Sequence, residues 1–158
     1  MKRFFVLLVA LMLVLSSVIP VFAANSVSST TPNIIYYNDG SYTTISDVYV
    51  TDSIATRTSY LKFGSRKVTH YGSGDEIEWE YVLSATFSYE PGVSSTCIEA
   101  SYDQTIYDDA WTFSNGSATK SGNTAYGAGL YIKKVLFINV LEEEIDIDIT
   151  CDSNGNLS

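Results

Sequence analysis

Apolar side chains alternate with polar ones along two long segments of this 158-residue chain. In residues 77–89, every second position is Ile, Trp, Tyr, Leu, Ala or Phe, and mainly Glu, Ser and Thr lie between them. In the second segment, 140–152, one face carries Ile145, Ile147, Ile149 and Cys151, and the other carries Glu144, Asp146, Asp148 and Thr150. A period of two is typical of strands with one face on a core. Both segments are therefore predicted to be strands of antiparallel sheets.

Shorter β-type segments surround these two strands, with Asp39-Gly40 and Pro91-Gly92 among the turn signals between them. They are 34–37, 42–50, 66–71, 96–107, 110–114, 117–120 and 124–133, and the polar residues 51–60 are predicted to be a connector. No window of eleven or more residues beyond the N-terminal apolar run has helical spacing. The pattern predicts one all-β domain over residues 34–158. Its expected architecture is an immunoglobulin-like antiparallel β-sandwich of about seven to nine strands.

The segment 66–71 is predicted to pair with the strand that begins at Ile77, across a turn at 72–75. The predicted partners are Lys67 with Glu80, Val68 with Trp79, and Thr69 with Glu78. An opposite-charge pair and an aliphatic–aromatic pair favour this register. It places His70 on the inner face near the turn, where it would cover the end of the core.

Gly127 and Gly129 share one face of their predicted strand. A face lined by glycine often lets another backbone or a large aromatic side chain approach closely. Trp111 is the candidate neighbour.

The N-terminus has the three parts of a secretory signal peptide. Lys2 and Arg3 precede an apolar run from Phe4 to Leu15, and Ala23 marks the expected cleavage site. A transmembrane helix would need about 20 apolar residues, and serines and a proline interrupt this run too early. Residues 1–23 are therefore predicted to be a signal peptide and 24–33 a disordered leader, so the protein should be secreted.

The charge balance narrows the function classes. The chain has 9 Lys and Arg against 18 Asp and Glu, a formal net charge of −9, so nucleic-acid binding is not expected. One His and two Cys are too few for ordinary zinc sites. The polar C-terminus and the absence of a Cys near the cleavage site predict a released monomer without a membrane anchor after signal cleavage.

Because an exported protein meets an oxidising environment, a disulfide between Cys97 and Cys151 is expected. Two separate buried thiols are the alternative. Cys151 shares a face with isoleucines, whereas Cys97 is in phase with polar residues of its own strand. A β-bulge between 97 and 102 would reconcile the two phases, as would a bridge at the sandwich edge.

About residues 60–158 resemble a group of small secreted proteins of Gram-positive anaerobic bacteria that have no assigned function. The residues that carry the resemblance are Trp79, Phe87-Ser88-Tyr89, Gly92, Cys97, Tyr107, Trp111, Ser121-Gly122-Asn123-Thr124-Ala125, Cys151 and Gly155-Asn156-Leu157-Ser158. The resemblance implies an extracellular all-β domain with a Cys97–Cys151 bridge, and it supplies no catalytic or binding residues. The acidic segment 141–148 and residues 89–92 depart from the pattern.

No residue pattern indicates catalysis. His70 is the only histidine, and no serine lies in a G-x-S-x-G setting, so a Ser-His-Asp triad is not expected. Acidic side chains form two lines, Glu76, Glu78 and Glu80, and Glu144, Asp146 and Asp148, which are interpreted as solvated faces. If the lines were adjacent, Lys, Arg or Ca²⁺ would have to lie between them. Residues 152–156 superficially resemble a calcium loop but are predicted to be a turn, and no catalytic, cofactor-binding or metal-binding residue is assigned.

Twelve tyrosines are a high number for this length, and tyrosine suits both recognition surfaces and half-buried strands. The first hypothesis is a non-catalytic extracellular binding or structural domain whose ligand is a protein or a glycan. The alternatives are an extracellular glycan hydrolase that uses a carboxylate pair, which the spacing of the acids does not single out, and a secreted toxin or inhibitor.

Overall fold

The computed structural model describes residues 33–55 and 59–158. The predicted signal peptide and nearly all of the predicted leader lie outside the described residues, so both stay predictions. No helix in the described ranges has the length and apolar character needed to cross a membrane.

Nine antiparallel strands in two sheets make up the described part of the chain. The strands are β1 (Asn33–Tyr36), β2 (Tyr42–Ile45), β3 (Tyr49–Ala55), β4 (Tyr60–Tyr71), β5 (Ile77–Glu90), β6 (Ser94–Ile106), β7 (Trp111–Ser121), β8 (Thr124–Val135) and β9 (Ile138–Thr150). Sheet A has the order β1-β2-β4-β5-β6, with β3 paired to β4 beside β2, and sheet B has the order β7-β8-β9. Each sheet follows chain order closely, as a meander does, whereas immunoglobulin domains have Greek-key connections.

The all-β, two-sheet antiparallel architecture and the strand number confirm the predicted β-sandwich. Two boundaries differ from the prediction. The segment 42–50 is divided between β2 and β3, and β3 continues to Ala55, where a connector was expected. The segments 110–114 and 117–120 belong to the single strand β7, whose pairing is irregular between Ser114 and Ser117.

The core lies between the inner faces of the two sheets. Its largest side chains from β5 are Trp79, Tyr81, Leu83 and Phe87, and sheet B supplies Trp111, Tyr131, Ile145, Ile147 and Ile149. The period-two pattern of both long segments thus placed its apolar set inside, where each large apolar side chain contributes about 1.5–3 kcal/mol by burial.

Two tyrosine hydroxyls connect the sheets through this core. Tyr81 donates to the carbonyl oxygen of Ser117 at 3.0 Å, and Tyr131 donates to that of Glu80 at 2.7 Å. Burial raises the pKa of Tyr81 to about 12, so the hydroxyl stays a donor at any ordinary pH.

The β4–β5 hairpin has the predicted faces but a different register. Lys67 lies opposite Val82 and Val68 opposite Tyr81, two residues away from the predicted partners. A shift of two keeps the side chains from Trp79 onward on their expected faces, whereas Ile77 and Glu78 exchange faces. The predicted charge pair also forms, because Lys67 Nζ reaches Glu80 Oε1 diagonally at 2.7 Å.

The glycines of β8 admit aromatic rings, as predicted, but the expected neighbour was wrong. A Cβ on Gly127 would lie 2.8 Å from the Tyr81 hydroxyl, and a Cβ on Gly129 would lie 2.5 Å from the Phe113 ring. Trp111 lies instead beside His70, with 5.1 Å between the ring centroids.

Candidate functional site

A β-bulge turns Glu78 into the core. Tyr71 pairs with Ile77 and His70 pairs with Trp79, so Glu78 is an extra residue in β5 without an opposite partner. Its side chain is buried, as is that of Trp79, the next residue. The prediction that Glu78 continues a solvated acidic line with Glu76 and Glu80 is therefore wrong.

Glu78 accepts hydrogen bonds from two residues of sheet B. The Trp111 indole Nε1 donates to Glu78 Oε2 at 2.7 Å, and Lys133 Nζ lies 2.9 and 3.0 Å from the two carboxylate oxygens. Lys133 also lies over the Trp111 ring, 5.4 Å from its centroid. The bulge therefore gives the buried carboxylate the partners that such a charge requires.

His70 lies between two buried carboxylates. Its Nε2 is 3.4 Å from Glu78 Oε2, and its Nδ1 is 3.3 Å from Glu143 Oε2 and 2.9 Å from Thr43 Oγ1. The Tyr37 hydroxyl donates to Glu143 Oε2 at 3.2 Å. The second carboxylate oxygen of Glu143 is buried without a hydrogen-bond partner in the described part of the chain.

Aromatic rings enclose His70, which is 1% exposed. The imidazole stacks on Trp79 with a 4° interplanar angle, and Trp79 stacks on Tyr131 with centroids 3.9 Å apart. The prediction of a rim residue is corrected: His70 lies inside the core, because the bulge brings a second layer of side chains over it. We call His70, Glu78, Glu143, Lys133 and Thr43 the polar cluster.

The polar cluster has no carboxylate open to a substrate. Glu78 and Glu143 are both buried, and the imidazole separates them. The described side chains also include no group of three or more His, Cys, Asp or Glu placed to hold a metal ion. The cluster is therefore a buried polar centre whose contacts connect the two sheets.

A cleft of about 520 Å³ lies beside the polar cluster, between the β1–β2 turn and the turn end of the β8–β9 hairpin. Tyr37 and Lys133 line the cleft, and they also bond to the two buried carboxylates of the polar cluster. Asp39 is the one acidic residue in the lining. Hydrogen bonds from Ser41 hold the pKa of Asp39 below its usual value, so this carboxyl is suited to structure rather than to proton transfer.

The outer face of sheet A carries a shallow groove of about 270 Å³. Ser65, Ser84 and Ser101 lie opposite one another on β4, β5 and β6 and form its floor. In the next row, Phe63 faces Thr86, which faces Glu99, and all three line the groove. We call this feature the serine groove; it combines one aromatic ring, one carboxylate and several hydroxyls.

Tyrosines cluster on the same face, near the β4–β5 turn. Tyr42 stacks on Tyr71 with centroids 4.7 Å apart, and Tyr36 continues the row at 5.8 Å from Tyr42. We call these three residues the tyrosine row; Tyr36, on the edge strand β1, is the most exposed of them. The Tyr36 ring is tilted by 41° on Tyr42, and the exposed fraction of Tyr36 is 74%.

An ion pair lies between the groove and the tyrosine row. Burial alone would raise the pKa of Glu80, but hydrogen bonds from Lys67 and Tyr107 outweigh this effect and lower it. The bond to Glu80 raises the pKa of Lys67. The opposite pKa shifts show that Lys67 and Glu80 bind each other. Among the described residues that line the serine groove, Glu99 supplies the one carboxylate.

The two predicted acidic lines do not meet. Glu80 lies in sheet A, whereas Glu144, Asp146 and Asp148 lie exposed on the outer side of sheet B. The predicted alternative of cations between adjacent acidic strands is therefore not required. The C-terminal residues form a turn, in which Asp152 accepts hydrogen bonds from the amides of Asn154 and Asn156, both at 2.8 Å.

The structure contains no disulfide between Cys97 and Cys151, which corrects the expected bridge. Both are buried free thiols, the alternative considered above, and each donates to a backbone carbonyl of its own segment: Glu99 at 3.3 Å and Asp152 at 3.4 Å. Burial raises the pKa of both thiols, which makes thiolate formation unfavourable. The predicted bulge is present, because Ile98 is an extra residue that turns Cys97 inward.

Sequence reasoning missed Glu143 and the serine groove. Glu143 has the same parity as Ile145 and Ile147, so the alternation itself could have placed it on the inner face. The groove depends on the mutual register of three strands, for which the sequence has no comparable signal.

Comparisons of the chain with protein-family models, with curated proteins and with solved structures found no match.

Proposed function

We propose that this protein is secreted and acts without catalysis, as an extracellular domain that binds a glycan in the serine groove. The observation that carries the proposal is the alignment of Ser65, Ser84 and Ser101 across three strands. Small side chains let a ligand approach the sheet closely, and their hydroxyls both donate and accept. A sugar needs this combination, because its hydroxyls are also donors and acceptors.

The walls of the groove favour the same ligand class. Phe63 offers an apolar ring to the C–H face of a sugar, and Glu99 offers a charged acceptor to its hydroxyls. The net charge of −9 disfavours sulfated or uronic-acid polymers, so neutral or amine-bearing glycans are the expected class. A longer glycan that runs along the strands would also reach the tyrosine row.

Binding is favoured over hydrolysis by the placement of the acids. Hydrolysis by the usual mechanism needs two carboxylates that flank one glycosidic bond. The serine groove has Glu99 and the cleft has Asp39, and no second acidic residue lines either of them in the described part of the chain.

A glycan array with the purified protein, followed by calorimetric titration of the best ligand, tests the proposal. Ser84→Tyr should fill the groove and weaken binding at least tenfold, and Phe63→Ala should weaken it about two- to tenfold. Thr119→Tyr is the matched control, since Thr119 is an exposed strand residue on sheet B, and it should bind as the wild type does.

Two results would overturn the proposal. One is the absence of any glycan ligand, and the other is wild-type affinity in the Ser84→Tyr variant. Conversion of an array glycan into shorter products would support the hydrolase alternative instead.

A further inference from the structure

The β8–β9 hairpin ends in an exposed apolar tip. Val135 pairs with Ile138 and closes a two-residue turn of Leu136 and Phe137. The exposed fractions are 51% for Val135, 85% for Leu136, 99% for Phe137, 67% for Ile138 and 54% for Val140. We call these five residues the apolar tip; Val135 and Val140 also line the cleft beside the polar cluster, and nothing of the described chain packs over Phe137.

The backbone of the turn is unusual for the side chains that it carries. Leu136 has φ 48° and Phe137 has φ 69°, both in the left-handed region. Two-residue hairpin turns of this kind strongly prefer Asn-Gly, because side chains beyond Asn and Asp are disfavoured there. Leu136 and Phe137 therefore disfavour the turn conformation, and their exposed apolar side chains lower solubility. Backbone outliers of this kind are concentrated at functional sites.

The dimensions of the tip match the interfacial layer of a bilayer. From Phe137 to Val140 the strand extends about 10 Å, and peripheral segments bury their apolar face about 5–10 Å deep. Lys134 and Asn139 lie opposite each other one step behind the closing pair, and Lys134 is exposed. The ammonium group of Lys134 would thus reach the level of the lipid phosphates. The acidic row of β9 begins at Glu142, farther from the tip and therefore farther from the membrane.

We propose that the apolar tip inserts into the outer monolayer of a lipid membrane and attaches the protein there reversibly. An exposed apolar hairpin turn can be covered either by a matching pocket or by a fluid apolar medium, and hydrocarbon supplies the second without a partner-specific shape. Because the chain has a net charge of −9, membranes of zwitterionic phospholipids should bind it better than anionic ones. This contact differs from an anchor, and it is independent of the serine groove.

Co-sedimentation of the full protein with vesicles of phosphatidylcholine tests the proposal. Wild-type protein should sediment with these vesicles, and less with vesicles of phosphatidylglycerol. L136N/F137G introduces the sequence that the turn prefers, so its thermal midpoint should equal or exceed that of the wild type. Its vesicle partitioning should fall at least tenfold.

Val93→Asn is the matched control, since Val93 is an exposed apolar turn residue between β5 and β6. It should partition as the wild type does. The proposal is wrong if the wild type does not sediment with phosphatidylcholine vesicles, or if L136N/F137G sediments equally well. A dimer in sedimentation velocity that only L136N/F137G abolishes would identify a second copy of the chain as the occupant, and would also overturn it.

Discussion

Replacement of Glu78 by leucine has a cost that the structure defines. The variant leaves the buried Trp111 indole N–H without the acceptor that now lies 2.7 Å away. An orphaned buried donor costs about 1–3 kcal/mol. The loss of the Lys133 partner adds less, because that side chain is 26% exposed and can turn toward water. We therefore expect Glu78→Leu to lower the free energy of unfolding by about 2–4 kcal/mol.

Glu78→Gln separates the hydrogen bond from the charge. Its amide oxygen can still accept from Trp111 in a side chain of the same size, and only the charge-assisted bond with Lys133 is weakened, by about 1 kcal/mol. Urea unfolding followed by tryptophan fluorescence measures both variants. With a slope of about 2 kcal/mol per M, the midpoint should fall by about 1–2 M for the leucine variant and about 0.5 M for the glutamine variant.

Glu144→Leu is the control, because Glu144 is an exposed residue of β9. It should change stability by no more than about 0.5 kcal/mol. A wild-type midpoint in Glu78→Leu would mean that the Trp111 bond contributes no net stability. Equal losses in the leucine and glutamine variants would mean that charge, not the acceptor, is what the cluster requires.

Three further predictions follow from single contacts. Gly129→Ala should lower stability by about 1–3 kcal/mol, because its Cβ would lie 2.5 Å from the Phe113 ring, and an unchanged calorimetric midpoint would contradict this. Cys97 and Cys151 should react with a thiol reagent slowly in the folded protein and as two equivalents in denaturant; one equivalent or none would refute the free-thiol state. Hydrogen bonds from Asn156 lower the pKa of Asp152 below 3.8, so its contribution is present above that pH and is lost as pH falls through the folded value. The difference in urea midpoint between wild type and Asp152→Asn should therefore shrink below pH 3.8, and a difference that is constant with pH would contradict the assignment.

The sequence pattern predicted the strands because alternation over a dozen residues has one structural explanation. It also predicted the faces of β4 and of β5 from Trp79 onward correctly, although the register differed by two residues, since that shift does not change which side faces the core. The irregular positions were harder. A bulge at Ile98 was foreseen because Cys97 conflicted with the phase of its own strand.

The bulge at Glu78 has no comparable signal in the sequence, because Glu78 fits the alternation of polar and apolar residues on both sides of it. Its inward turn is decided by partners far along the chain, Trp111 and Lys133, which come into reach only when the sheets pack. The apolar tip was missed for a related reason. Leu136 and Phe137 carry none of the Asn-Gly signal that marks such a turn, so the hairpin between the predicted segments 124–133 and 140–152 could not be placed.

A bulge lies near each of the two unexpected features, one in each sheet. Lys133 pairs with Leu141 and Lys134 with Asn139, so Val140 is an extra residue in β9. A one-residue shift reverses which face each side chain points to. Because this shift lies between Leu141 and Asn139, it changes the faces of the residues toward the tip, whereas Glu143 faces inward with Ile145, whose parity it shares. The bulge at Glu78 supplies the opposing carboxylate from sheet A. The buried polar cluster therefore combines one carboxylate that the regular alternation of β9 turns inward with one that a bulge of β5 turns inward, and the exposed apolar tip is a separate feature beyond the bulge at Val140.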